Sequence, residues 1–287
     1  MDKIIDNPGA SASAIQHHYD LSNDFYKLWL DPTCTYSCGM WQERDNLTSA
    51  QLRKIDFHIQ NCQVKEDHRI LDIGCGWGAT LKRLVEKYNI KQGVGLTLSE
   101  NQANWIKKFN IPEIEINLES WSDHNPKELY DGIISIGAFE HFAKLNLSSE
   151  EKIEGYREFF RLCYQWLKPE SYLSLQTITY GNATPGEFNS FLATEIFPET
   201  DLPRLTEIAI ASEKYFEIVT LRNDRKDYEL TCRKWLSQLQ KNKKEAIELV
   251  GEKTVKNYEK YLQLAIYGFY GGKINLLRIA MKKLKNS

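Results

Sequence analysis

The sequence predicts an α/β fold: a seven-stranded, mostly parallel sheet with helices on both faces and a helical cap. Three observations predict it. Short apolar runs recur along the chain and are nearly continuous rather than alternating, as strands buried on both faces require. Helical segments with apolar residues three and four apart separate them. The first central run, Leu71-Asp72-Ile73, enters Gly74-Cys75-Gly76-Trp77-Gly78 directly, where alternate glycines let the backbone turn sharply and approach a ligand. Alone, such a turn fits a dinucleotide fold or an ordinary strand-to-helix connection.

The elements follow in order. Residues 1–16 read as a flexible N-terminus and 17–60 as a helical cap, dense in aromatic residues from His18 to Trp41. Thr48 to Gln60 reads as a helix with Ser49 as its cap and Leu52, Ile55 and Ile59 on one face. Strands are expected over Arg69–Gly74, Lys91–Leu98, Glu113–Leu118 and Gly132–Ala138, with helices over Trp77–Tyr88 and from Ser99 onward. Ile153, Tyr156, Phe160, Cys163 and Leu167 mark a further helix, which Lys168-Pro169 should end. A fifth strand covers Ser171–Thr179. Residues 181–203, with three of the eight prolines, read as a short lid. Leu205–Tyr215 is helical, Phe216–Arg222 and Ile274–Met281 are the last strands, and 226–270 is a helical insertion. One domain over 17–287 accommodates all of this.

Composition narrows the function. The 287 residues carry a net charge of −2 with acids and bases interspersed, so no basic block exists to bind nucleic acid. No run approaches the ~20 apolar residues of a membrane span, and the N-terminus is not built like a signal peptide. A cytoplasmic protein without an integral membrane segment is expected. Cys34 and Cys38 have no second Cys/His pair at metal-binding spacing, so no metal is expected. The other four cysteines read as buried thiols in a reducing compartment.

In an open α/β sheet the ligand lies beyond the carboxyl ends of the strands. The second strand ends in Thr97-Leu98-Ser99 rather than in an acid, and a hydroxyl with the Gln102 amide can replace the carboxylate that usually holds a ribose. Trp121, just past the third strand, is placed to meet an adenine ring. The series of turns and strand ends looks like the nucleotide half of a class I, Rossmann-like S-adenosylmethionine-dependent methyltransferase.

A narrower resemblance rests on longer motifs. His18-Tyr19-Asp20-Leu21-Ser22-Asn23-Asp24-Phe25-Tyr26, Leu30-Asp31-Pro32, Thr35-Tyr36-Ser37-Cys38, Leu71 to Gly78, Gly95 to Ser99 with Asn101-Gln102, Ser135 to Phe142, Glu195-Ile196-Phe197-Pro198, and Tyr228 with Trp235 resemble the cyclopropane-fatty-acid and mycolic-acid cyclopropane synthases, over about residues 17–277. The resemblance implies S-adenosylmethionine held by Tyr36, Ser37, Asp72, Gly74, Gly76, Gly78, Thr97, Leu98, Gln102, Trp121 and Ile136. It implies methyl transfer to an electron-rich, alkene-like carbon of an unsaturated lipid, and a carbocation that loses a proton. Bicarbonate is the implied base, held by the Cys38 backbone, Glu140, Ile178 and Tyr228, with Gln176 beside it. His18, Tyr19, Phe142, Tyr180 and Tyr267 are implied on the acceptor side, where aromatic faces stabilise a cation.

The chain departs from the family pattern in several places. Gln176 stands where a histidine is frequent, and an amide neither adds charge nor shuttles a proton at pH 7. Asp227-Tyr228 replaces His-Tyr, Met281 stands near the place of a cysteine, and Thr179–Thr194 is shorter than the mycolate enzymes' lid. The N-terminal membrane-contact domain of bacterial lipid enzymes has no counterpart in this sequence. The alternative expectation is therefore a C-, N- or O-methyltransferase with a small, non-lipid acceptor.

Overall fold

The computed structural model describes Gly9, Ser11, residues 21–183, Ile196 and residues 200–285. Seven strands form one sheet: β1 (Arg69–Ile73), β2 (Gln92–Thr97), β3 (Ile114–Leu118), β4 (Tyr130–Ile136), β5 (Leu167–Tyr180), β6 (Phe216–Asn223) and β7 (Ile274–Lys283). Their spatial order is β3-β2-β1-β4-β5-β7-β6. β1 to β5 pair in parallel, and β7 runs antiparallel between β5 and β6. The mostly parallel seven-stranded sheet expected from the apolar runs is the one observed. Because β1 is flanked by β2 on one side and β4 on the other, chain direction switches there and a cleft opens above its carboxyl end.

The described helices are α1 (Asn23–Lys27), α2 (Leu47–Asn61), α3 (Ala79–Tyr88), α4 (Glu100–Lys107), α5 (Ser149–Trp166), α6 (Leu205–Ser212), α7 (Arg225–Lys241), α8 (Lys243–Val250) and α9 (Glu252–Tyr270). Several boundaries move for identifiable reasons. α2 starts at Leu47 because Asn46 caps it, with the Ser49 hydroxyl answering the Asn46 N–H from the third position. α3 starts at Ala79, since Gly78 is left-handed at φ +81°. β4 ends at Ile136 because Gly137 takes φ +70°. β5 begins at Leu167, directly at the end of α5. A shift in its pairing with β4 between Tyr130 and Gly132 lets Pro169 lie in the strand. Gly251, at φ +81°, separates α8 from α9.

The glycines of β2 record how closely α3 sits on the sheet. A Cβ on Gly95 would lie 2.7 Å from Leu81 Cδ1, 2.9 Å from Cys75 Sγ and 2.9 Å from Ile116 Cδ1. Gly95→Ala is therefore expected to destabilise the protein by about 1–3 kcal/mol, read as a lower urea midpoint at unchanged slope.

Above the sheet, the N-terminal aromatic residues pack on α7 and α9. The Tyr26 and Tyr258 hydroxyls lie 2.9 Å apart, and the Trp29 and Tyr36 rings meet Trp235 at 5.8 and 5.2 Å. Trp77 joins this cluster from the glycine turn, its indole N–H donating to Asn23 Oδ1 at 2.8 Å. Among the described residues, no helix is long and apolar enough to cross a membrane.

Candidate active site

A cavity lies beyond the carboxyl ends of β1, β2 and β4. Gly74, Gly76, Thr97, Leu98, Gln102, Trp121 and Ile136 line it. The turn fits close approach of a ligand. A Cβ on Gly74 would stand 2.4 Å from Ala138 Cβ, whereas one on Gly76 would project into open space. Both residues have positive φ. Gly78 lies outside this wall and has a packing role. Its hydrogen face lies against Ile106, which a Cβ would meet at 2.8 Å. The Thr97 hydroxyl donates to Gln102 Oε1 at 2.8 Å and accepts from the Ser99 N–H, so strand end and helix start are locked together without an acid. Trp121 is buried against Phe142 and Phe159 at ring distances of 5.1 and 5.4 Å.

The opposite wall is the 35–39 loop, and α2 positions it. Gln51, Lys54 and His58 fall at spacings of three and four, forming one buried polar stripe on the helix. Gln51 Nε2 donates to the carbonyls of Thr35 (3.3 Å) and Ser37 (2.7 Å), and Lys54 Nζ donates to Ser37 Oγ (2.8 Å). Tyr36 and Ser37 thereby line the cavity beside Asp72. Burial pushes the Asp72 carboxyl up to about 7, with Lys54 pulling the other way, and pushes the Lys54 ammonium down to about 7.

Next to the cavity, the residues implied for catalysis converge. Glu140 sits in a short 3-10 turn after β4, and its Oε1 accepts from the Ile178 N–H at 2.6 Å. Its other oxygen is buried without a partner among the described residues. Burial raises this carboxyl to about 7, against the hydrogen bond from Ile178. Tyr228, stacked on Phe269 at 4.5 Å, feels both Cys38 and Glu140, and its phenol is pushed upward mainly by burial.

The organising residue is one that sequence reading missed. Arg278 is fully buried in β7, opposite Gln176 in β5. Its Nε donates to Gln176 Oε1 at 3.0 Å, and its Nη2 to the carbonyls of Cys38 (3.2 Å) and Gly39 (2.9 Å); its Nη1 pairs with Asp224. Since a guanidinium only donates, the atom facing it is the amide oxygen, and the Gln176 N–H2 points away from Arg278. His58 approaches the same oxygen through Nε2 at 3.4 Å and bonds Ser174 through Nδ1 at 2.7 Å. Burial beside Arg278 and Lys54 holds the imidazole well below its usual pKa. Gln176 thus replaces histidine within a network that already holds a permanent cation. Asp227, expected to add negative charge, accepts from the Trp41 N–H at 3.2 Å, and burial raises its carboxyl.

Other expected residues are placed elsewhere. Phe142 lines the cavity, but Tyr180 does not: its hydroxyl donates to Asp201 at 2.6 Å, beneath the Lys152 ion pair. Tyr267 is 71% exposed, because α9 turns Leu262, Ile266 and Phe269 inward and Tyr267 away from them. His18, Tyr19 and nearly all of the lid lie outside the described residues.

The comparisons with known proteins agree with one another. The family model for mycolic acid cyclopropane synthetase matches residues 7–279. Cyclopropane mycolic acid synthase 1 of Mycobacterium tuberculosis (strain ATCC 25618 / H37Rv) is 37% identical over 289 residues, covering 94% of this chain and 96% of the relative. The solved cyclopropane synthase MmaA2 from Mycobacterium tuberculosis superposes with a TM-score of 0.88 at 34% identity, covering 98% of this chain and 100% of that one. Mycolic acid cyclopropane synthase CmaA1, complexed with SAH and CTAB, gives 0.87 at 35% identity over 96% of this chain and 99% of that one. Coclaurine N-methyltransferase, at 20% identity and a TM-score of 0.79, shares the fold.

Proposed function

The chain belongs to the mycolic acid cyclopropane synthetase family and is an S-adenosylmethionine-dependent enzyme, and from that premise we propose that it methylates an alkene-like carbon of an unsaturated lipid through a carbocation. The observation that carries this reading is Glu140: a buried carboxyl whose one oxygen is fixed by Ile178 and whose other oxygen has no partner among the described residues. A carbon-centred cation must lose its proton to an acceptor held against the substrate inside the closed pocket, and this carboxyl, beside Tyr228, is placed to anchor one.

S-adenosylmethionine supplies an electrophilic methyl group on a sulfonium. Gly74 and Gly76 would bring backbone against it, Thr97 with Gln102 and Trp121 would hold the nucleoside end, and Tyr36 and Ser37 would close the other side, since all of them line the cavity. The acceptor's π bond forms the new carbon–carbon bond as the carbon–sulfur bond breaks, and the charge left on the acceptor is relieved by loss of a proton. Glu140, held in place by the Ile178 N–H, would with the Gln176 amide, Tyr228 and the Cys38 backbone hold a bicarbonate ion as the proton's destination. Arg278 offsets its charge from behind Gln176. The aromatic walls, Tyr36 and Phe142 among them, exclude water and face a cation with their π clouds.

The test incubates purified protein with trideuteromethyl S-adenosylmethionine and a dispersed cis-monounsaturated acyl lipid, followed by mass spectrometry. Ring closure by proton loss from the transferred methyl leaves two deuterons in the product, and a methyl branch leaves three. Label that never enters an acyl chain, but enters a soluble amine or phenol offered alongside, would overturn the lipid reading.

A further inference from the structure

We infer that His58 is a positioning residue for the reaction proposed above: from α2 it closes a one-way chain of hydrogen bonds that fixes which way the Gln176 amide faces. The role rests on that reading of the site, but the chain itself is the same whatever the acceptor. Ser174 and Gln176 stand two residues apart in β5 and so share one face of the sheet. The His58 ring, buried against that face, reaches both side chains.

Each donor in the chain is determined by the one before it. Arg278 Nε can only donate, so the Gln176 atom 3.0 Å away is the amide oxygen. That oxygen can only accept, so His58 Nε2, 3.4 Å away, carries the ring proton. Burial beside Arg278 and Lys54 keeps the ring neutral. Its Nδ1 is then bare and accepts from the Ser174 hydroxyl at 2.7 Å. Asn61, three residues after His58 and on the same side of α2, donates from Nδ2 to Ser174 Oγ at 3.2 Å and completes the chain.

Two N–H groups thus fill both lone pairs of the Gln176 oxygen. The amide cannot turn over without setting its own N–H2 against two other donors. The backbone beneath it is held as well, since the Gln176 carbonyl accepts from the Gly137 N–H at 2.9 Å. What remains is the Gln176 N–H2, which has no partner among the described residues and is available to an anion beside Glu140. A histidine at position 176, frequent in the family pattern, would present its own ring there. Here the imidazole stands one layer back, on α2, and acts through the amide. Neither residue shows this alone, because His58 between Phe57 and Ile59 reads as helix core and Gln176 as a plain replacement.

The test has two parts. Long-range proton–nitrogen NMR correlation of the full chain at neutral pH, which needs no acceptor, should show His58 with a proton on Nε2 and none on Nδ1. A proton on Nδ1, in either charge state, would overturn the chain. In the labelled acyl-lipid assay, His58→Ala is expected to lower kcat about 10- to 100-fold while KM for the lipid and affinity for S-adenosylhomocysteine stay within about twofold. The double variant His58→Ala/Gln176→His moves the imidazole to the strand and vacates its old place, so kcat should return to within about threefold of wild type. Gln176→His alone, with two rings competing for one space, should stay slow. An unchanged kcat in His58→Ala, a parallel loss of S-adenosylhomocysteine affinity, or a double variant no faster than His58→Ala would overturn the role. If His58→Ala does not fold, the tautomer and the double variant decide. A wild type that labels no acyl lipid would remove the proposed acceptor, and the tautomer would still judge the chain.

Discussion

Glu140→Gln is expected to lower methyl transfer to an unsaturated acyl lipid by about two to four orders of magnitude while leaving S-adenosylhomocysteine affinity within about twofold. Glutamine keeps an oxygen for the Ile178 N–H, so the turn after β4 holds its shape. What changes is the second oxygen, now an N–H2 donor where an acceptor stood. The pH dependence follows from the same carboxyl. With its proton held to about pH 7, the wild-type rate should climb about tenfold per unit below 7 and level off above it.

Stability should move in the opposite direction. The folded-state pKa of Glu140 is raised above the ordinary 4.5, so the folded protein binds more protons than the unfolded chain between 4.5 and about 7. Stability from this group is full below that window and is lost as pH rises through it. Glu140→Gln is free of that loss and should exceed wild type at pH 8 by on the order of 2–3 kcal/mol, provided its amide is accommodated. A variant that is inactive and also less stable at pH 8 would mean that Glu140 serves packing rather than chemistry. Urea titrations of both proteins at pH 5 and pH 8 separate the cases.

The second large effect belongs to Arg278. Arg278→Met removes a fully buried guanidinium that serves Gln176, Asp224 and the Cys38 and Gly39 carbonyls together. The carbonyls lose their donor and Asp224 keeps only Arg222, so the loss should be about 3–5 kcal/mol, or about 10 °C in Tm. Lysine restores the charge but cannot reach all four partners at once, and Arg278→Lys should recover less than half. A Tm within about 2 °C of wild type for Arg278→Met would show the network to be dispensable.

These residues also show what a sequence makes legible. The sheet was readable because each strand carries its own evidence: Ile70, Leu71 and Ile73, or Ile133, Ile134 and Ile136, are apolar in runs that only a doubly covered strand explains. The cofactor turn was readable because its glycines are adjacent in the chain. Arg278 was not, since Leu-Leu-Arg-Ile-Ala reads as an ordinary strand with one polar residue and only the register between β5 and β7 sets it against Gln176, 102 positions earlier. Lys54 and His58 left a faint signal, the polar spacing with Gln51 inside a helix whose apolar face was already assigned. Tyr180 and Tyr267 were named for the acceptor side by resemblance alone; in the structure Asp201 holds the hydroxyl of the first, and the rotation of α9 turns the second outward.

The position of β7 has a consequence for how the molecule is made. It comes after every other described strand in the chain, yet it lies inside the sheet, between β5 and β6. Until it arrives, β5 presents an open row of backbone donors and acceptors and β6 has nothing to pair with. From the synthesis of β5 until β7 follows, the nascent chain therefore carries a long, sticky margin, the condition in which neighbouring chains associate wrongly. Closing that margin and delivering Arg278 to Gln176 are one event, so the sheet and the chemistry beside it are completed in the same late step.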